Sequence, residues 1–258
     1  MMRTQHFVGG AALFFAMAFP SVLTLAYFVL LAGQAAAVQQ LVYAVGKTIQ
    51  FVFPALLVAL FELRRSSADL TAGALRRRPW RWPAGWLRAQ VPMLAMGVGF
   101  GILVLAAMFG LYHVLWKANP AFAEATAAIQ GKIVGLGISS WWLYVAVGVF
   151  YALCHSALEE YYWRWFVFGQ VRTRLSLTWA IAISSLAFMA HHVILLATYF
   201  SWSSPWTYVF SLAVAIGGAF WAWLYERSGA ILAPWISHLI VDAAIFVVGY
   251  DLARDLLG

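Results

Sequence analysis

The sequence predicts an all-α membrane protein: a polytopic helix bundle of about seven transmembrane helices, or eight, with a cytoplasmic N-terminus. Three observations lead there. Of 258 residues, 64% are hydrophobic and only 10% are charged, against about 25% charged in ordinary soluble domains. A soluble chain of this length would still need polar side chains over much of its surface. The apolar residues gather in stretches close to the ~20 residues that cross a bilayer as a helix, and the basic residues between them are unevenly distributed.

The stretches run over 8–33, 38–61, 91–115, 141–162, 178–200, 206–225 and 231–249. Their length argues for helices over strands, since a barrel would show shorter segments alternating with polar lumen positions. The first follows Arg3 and ends near Gly33–Ala37, like a signal peptide. Its apolar run, Phe7 to Leu31, exceeds the ~7–15 residues of a signal core, so it reads as a first span. Pro20 and Pro54 interrupt the first two spans, which a bundle tolerates when neighbours repair the backbone.

Segment 62–90 carries Arg64, Arg65, Arg76, Arg77, Arg78, Arg81 and Arg88. Positive loops stay in the cytoplasm. Fixing this loop inside also places Arg3, Arg172, Arg174 and Arg227 inside, and Lys117, Lys132 and Arg254 outside. The stretch 116–139 reads as an amphipathic helix on the outer surface. Trp80, Trp82, Trp86, Trp141, Trp142, Trp202 and Trp206 sit near span ends, as interfacial aromatics do.

The sequence reads as one membrane domain over 1–258. Its N-terminal helices and basic loop (62–90) occupy 1–139, and its core helices occupy 140–250. The net charge of +7 lies between apolar runs rather than on a folded polar face, which argues against nucleic-acid binding. The single cysteine, Cys154, excludes an intramolecular disulfide and a cysteine-only metal site, and reads as a small core residue.

Charges at the centre of a bilayer cost roughly 3 kcal/mol or more. Those that fall in the spans here are Lys47, Glu159, Glu160, Arg164, His191, His192, His238 and Asp242, with His113 and His155 as weaker members. Glu160 and Arg164 stand at i and i+4 on a helix and can pair. Glu159 points about 100° away and stays available. His191 and His192 lie mid-span, and only one of them can point along a given direction. His238 and Asp242 share a face at i, i+4. The bland alternatives are a helix end emerging into water, a hydrogen-bonded packing histidine and a self-contained His–Asp pair.

Spans four and five form a hairpin turning near 172–176. Glu159 and His192 stand at similar distances along its arms, roughly 20–25 Å from the turn at 1.5 Å per residue. His238 lies about 10 Å into the last span. The depths agree if the hairpin tip projects into the cytoplasm, so that all three groups meet in one pocket nearer that side. A carboxylate, two imidazoles and an aspartate suit water-mediated hydrolysis: Glu159 as base, His192 holding the water, and His238 with Asp242 stabilising an oxyanion. Glu159, His192 and His238 could instead hold a zinc ion, although the short H-E-x-x-H signature is missing. Intramembrane Glu, His and Asp also mark ion paths, but no repeat of the transporter kind is present.

The order E-E-x-x-x-R, F-x-x-x-H, H-x-x-x-D on successive spans resembles the CPBP family of CAAX prenyl proteases and bacteriocin-processing proteins, over about 155–245. The tract from Gly217-Gly218 through Trp223–Gly229 to Ala233-Pro234 resembles the family's approach to its last motif. The resemblance implies an intramembrane endopeptidase with Glu159 as the water-activating base, supported by Glu160 and Arg164. It implies His192 rather than His191 as the second-motif histidine, because Phe188 stands four residues before it, and His238 with Asp242 as the third motif. The last position is often Asn in the CAAX proteases. Asp there favours orienting His238 over donating to an oxyanion, since only a protonated carboxyl donates.

No cofactor is expected, zinc being the alternative. The implied partners are membrane lipid and a peptide or protein substrate, lipidated or ending in a membrane tail. The implied location is a bacterial plasma membrane. A non-catalytic immunity or scaffold protein is the other reading that the resemblance leaves.

Overall fold

A computed structural model describes residues 8–69 and 86–258. Among the described residues there is no strand, and seven helices are long and apolar enough to cross a membrane. In chain order they are α1 Gly10–Leu30, α2 Ala36–Phe61, α3 Arg88–Trp116, α5 Trp141–Arg172, α6 Leu177–Phe200, α7 Pro205–Ser228 and α8 Leu232–Leu256. A shorter helix, α4 (Ala123–Gly135), falls within the stretch read as amphipathic and packs against α6 and α8. Most of the basic loop, including Arg76, Arg77, Arg78, Arg81, Trp80 and Trp82, lies outside the described residues.

Described members of the two sets of basic residues separated by the sequence lie at opposite ends of the bundle. At one end Lys117 Nζ and Tyr112 Oη lie 2.8 Å and 2.5 Å from Asp251 Oδ2, and Arg254 is close by. Gln130 of α4 donates to Leu252 O at the same end. At the other end Arg172 pairs with Glu226 at 3.0 Å, and Arg174 reaches Val8 O and Gln170 O. Gly229 closes α7 there with φ +65°, a left-handed cap that glycine adopts at no steric cost.

The interior is built around the second half of α5. Tyr162, Trp163, Phe166, Val167 and Phe168 pack with Leu13 and Ala16 of α1, Phe188 of α6 and Trp221 of α7. Apolar side chains such as Phe14, Leu30, Leu103 and Leu212 face outward, as lipid contact requires. Trp141, Trp142 and Trp202 are exposed at span ends. Cys154 corrects its reading as a core residue: it lies on the exposed face of α5.

Two local devices let apolar helices pack this closely. Pro20 has no N–H for the carbonyl of Ala16, and the Tyr162 hydroxyl donates to that oxygen at 2.7 Å instead. On α3, a side chain at Gly97 would stand 2.7 Å from Ala233 O, so the missing Cβ is what brings α3 against α8.

Helix α5 is not a regular α-helix. A π turn at Tyr151–His155 precedes the α segment Ser156–Glu160, and a π segment at Tyr161–Phe168 follows it. Such turns, bonded i to i+5, are rare and concentrate at functional sites. Here they bracket the two glutamates.

Candidate active site

Glu159 and Glu160 are both buried at the end of the α segment in α5. Glu160 is completely enclosed. Its Oε2 lies 3.1 Å from Arg164 Nε, the i, i+4 pair anticipated from the sequence, and its Oε1 lies 2.8 Å from His238 Nδ1. The Arg164 guanidinium is sandwiched by aromatics, 4.7 Å from the Phe188 ring centre and 5.1 Å from that of Trp221. A buried guanidinium without its carboxylate would be strongly unfavourable. Glu160 therefore works as a structural anion tying α5 to α8.

His238 is fixed on three sides. It stacks on Trp221 with ring centres 4.1 Å apart, and Trp221 is itself held by an indole N–H to Ser237 Oγ bond of 3.0 Å. Glu160 accepts from its Nδ1. Its Nε2 is directed at Asp242 Oδ1, 3.4 Å away, and at Glu159 Oε2, 3.9 Å away. Asp242 thus meets its i−4 histidine as the spacing suggested, but the shortest bond orienting that ring comes from Glu160.

Glu159 has a different environment. Three imidazole nitrogens surround its carboxylate without reaching hydrogen-bond distance: His155 Nε2 at 3.7 Å, His191 Nε2 at 3.9 Å and His238 Nε2 at 3.9 Å. His155 sits one turn earlier on α5, with the Phe51 ring of α2 edge-on to it. His191 is buried and stacks flat on Trp163, ring centres 5.6 Å apart. Its neighbour His192 is partly exposed and donates Nδ1–H to Phe188 O at 3.0 Å. That bond fixes the neutral tautomer and leaves Nε2 for water or substrate.

Of the two adjacent histidines, then, the one approaching Glu159 is His191, whereas motif spacing pointed to His192. Zinc would require Glu159, His192 and His238 around one ion. Among the described residues no three His, Cys, Asp or Glu side chains form a group that could hold a metal, so that set does not fit as placed. Ser156 Oγ is committed to the Ala152 carbonyl and is no nucleophile.

The geometry brings Glu159, Glu160, Arg164, His192, His238 and Asp242 into one half of the bundle, across α5, α6 and α8. Residues 138–244 match a family model described as type II CAAX prenyl endopeptidase Rce1-like. That segment is similar to the Rce1-like family. No curated protein and no solved structure gives a significant match.

The Rce1-like segment holds all six of these residues, together with the π turns of α5 and the stacked Trp221–His238 pair. It excludes α1 to α4. The N-terminal helices nevertheless wall the site: Phe51 of α2 touches His155 and Tyr162, and Phe100 of α3 stacks on Phe220 of α7 at 4.0 Å. Two features of the site escaped sequence reasoning. The Glu160–His238 bond joins residues 78 apart with no spacing rule. His155, the imidazole nearest Glu159, stood in the sequence only as a weaker member of the intramembrane ionisable residues, and its place beside Glu159 had only the i−4 spacing as a signal.

Proposed function

We propose that the protein is an intramembrane endopeptidase of the CAAX type in which Glu159 activates the hydrolytic water. The observation that carries this is the contrast between the two glutamates. Both oxygens of Glu160 are committed, to Arg164 and His238, whereas Glu159 faces imidazoles across gaps of 3.7–3.9 Å. Such gaps exceed a direct hydrogen bond and suit a shared water.

In this reading Glu159 removes a proton from water as the oxygen attacks the peptide carbonyl carbon. It then passes that proton to the leaving amine as the C–N bond breaks. His192 Nε2 helps hold the water. His238, locked by Glu160 and Trp221, presents Nε2 to the developing oxyanion, with Asp242 setting that edge of the ring. A preorganised donor is effective in a site from which bulk water is excluded. The substrate class suggested by the family is a membrane-associated peptide, prenylated or otherwise lipidated near its C-terminus.

The test is cleavage of a prenylated C-terminal peptide by the purified protein beside Glu159→Gln. Cleavage by the parent and none by the variant, with the same melting temperature, supports the reading. Undiminished cleavage by Glu159→Gln sinks it.

A further inference from the structure

His155 is the imidazole nearest the hydrolytic carboxylate, and the hydrolytic scheme leaves it without a task. Its Nε2 lies 3.7 Å from Glu159 Oε1, from one turn earlier on α5. The two oxygens of that carboxylate have unlike neighbours. Oε1 faces His155 and, from α6, His191 at 3.9 Å, whereas Oε2 faces His238 Nε2 at 3.9 Å. The Oε2 edge therefore meets the ring assigned to the oxyanion, and the Oε1 edge meets two imidazoles that bond making does not use. Among the described residues neither oxygen accepts a direct hydrogen bond. The last torsion of a glutamate is broad, so an unheld carboxylate turns its plane easily. A general base must keep one oxygen within reach of its water.

His155 is itself well placed to hold the other oxygen. It ends the π turn Tyr151–His155, directly before the segment Ser156–Glu160 that carries Glu159. Being on the same helix at i−4, it keeps its distance from Glu159 however the neighbouring helices dock. Its ring contacts Tyr151, with ring centres 4.8 Å apart, and meets Phe51 of α2 edge-on at 6.5 Å. Tyr151 in turn packs on Phe246 of α8, ring centres 5.5 Å apart. The 3.7 Å gap to Oε1 is closed by one bridging water or by a small rotation of either side chain.

We propose that His155 is a positioning residue for the general base: it holds the Oε1 edge of Glu159, so that Oε2 stays turned to the hydrolytic water. It touches no reacting atom and acts through Glu159. The inference rests on the peptidase reading and adds the group that orients its base.

The experiment measures kcat and KM on a prenylated C-terminal peptide for the parent protein, His155→Gln, His155→Asn and His155→Leu, with the melting temperature of each. Glutamine carries its amide nitrogen near the position of imidazole Nε2. Asparagine carries it near that of Nδ1, short of Glu159, and leucine offers no polar atom. His155→Asn and His155→Leu should lose about ten- to a hundred-fold in kcat, the scale of a ~1 Å misplacement in a catalytic site, with KM within about twofold. His155→Gln should keep kcat within about threefold of the parent, since its amide can renew the contact. On top of Glu159→Asp, whose shorter carboxylate leaves the ring, His155→Leu should cost less than about twofold, because coupling ends with the contact.

Parent-like kcat in His155→Leu overturns the inference and leaves the peptidase reading intact. So does an equal loss in His155→Gln and His155→Asn; a matching fall in melting temperature would then identify the ring as packing. A loss carried by KM makes the ring a substrate contact, and an undiminished loss on top of Glu159→Asp makes it independent of the base. Either result overturns the proposal. The contrast between Gln and Asn decides by itself where Glu159→Asp cleaves too slowly to read. Absence of any Glu159-dependent cleavage overturns the peptidase reading, and this inference with it.

Discussion

His238 Nδ1 lies 2.8 Å from Glu160 Oε1, and the same carboxylate meets Arg164 Nε at 3.1 Å through its other oxygen. One buried anion thus joins α5 to α8 and fixes the ring that faces Glu159. The two adjacent glutamates have divided their work: one holds the site together and the other is left for chemistry.

That division has a consequence for stability. Removing one partner of a buried charge pair leaves the other uncompensated, at a cost of about 3–5 kcal/mol. Glu160→Ala and Arg164→Ala should each lower the melting temperature in detergent. The double substitution Glu160→Met with Arg164→Met should melt higher than either single one. Additive losses in the double variant would show that the two side chains act independently.

Glu159→Gln should behave in the opposite way. The amide has nearly the same shape, and among the described residues Glu159 makes no hydrogen bond that the change would break. The expected result is a fall in turnover of about 10²–10⁴-fold, the range for a general base, with little change in melting temperature. A variant that loses activity and stability together would place Glu159 in the same structural role as Glu160.

How far the sequence could lead is visible in these residues. Spans are legible because the length of an apolar run answers directly to bilayer thickness, and the seven spanning helices fall where the runs are. The pairs Glu160–Arg164 and His238–Asp242 are legible because both partners share one helix face at i, i+4. What joins them is not, since Glu160 to His238 depends on how α5 and α8 rotate against each other. Two π turns change that rotation on α5, and no residue pattern announces them. Which of His191 and His192 approaches Glu159 is hidden for the same reason: spacing from Phe188 counts residues, while the helix's rotation decides which ring meets Glu159.

The two histidines should separate experimentally. His191 is buried against Trp163 and lies 3.9 Å from Glu159, so its ring is both packing and electrostatic support. His191→Ala should lower the melting temperature as well as activity, by about 2–4 kcal/mol for a large buried ring. His192 is partly exposed and anchored through its own helix carbonyl, leaving Nε2 for the water. His192→Ala should cut kcat/KM by at least about tenfold at little cost in stability. Full activity in His192→Ala would transfer the water-holding role to His191.

The remaining prediction concerns metal. A carboxylate that works as base needs imidazoles near it, whereas zinc needs nitrogen and oxygen donors about 2.0–2.2 Å from one ion. His192 gives Nδ1–H to Phe188 O and keeps Nε2, and among the described residues no three His, Cys, Asp or Glu side chains form a group that could hold a metal. Prolonged treatment with a strong chelator, followed by assay in metal-free buffer, should therefore leave cleavage within about twofold of the untreated protein, whereas stripping a catalytic zinc would remove its Lewis acid and its activated water together. Loss of cleavage on chelation, recovered by added zinc and matched by about one bound zinc per chain in elemental analysis, would replace glutamate activation with metal activation at this site.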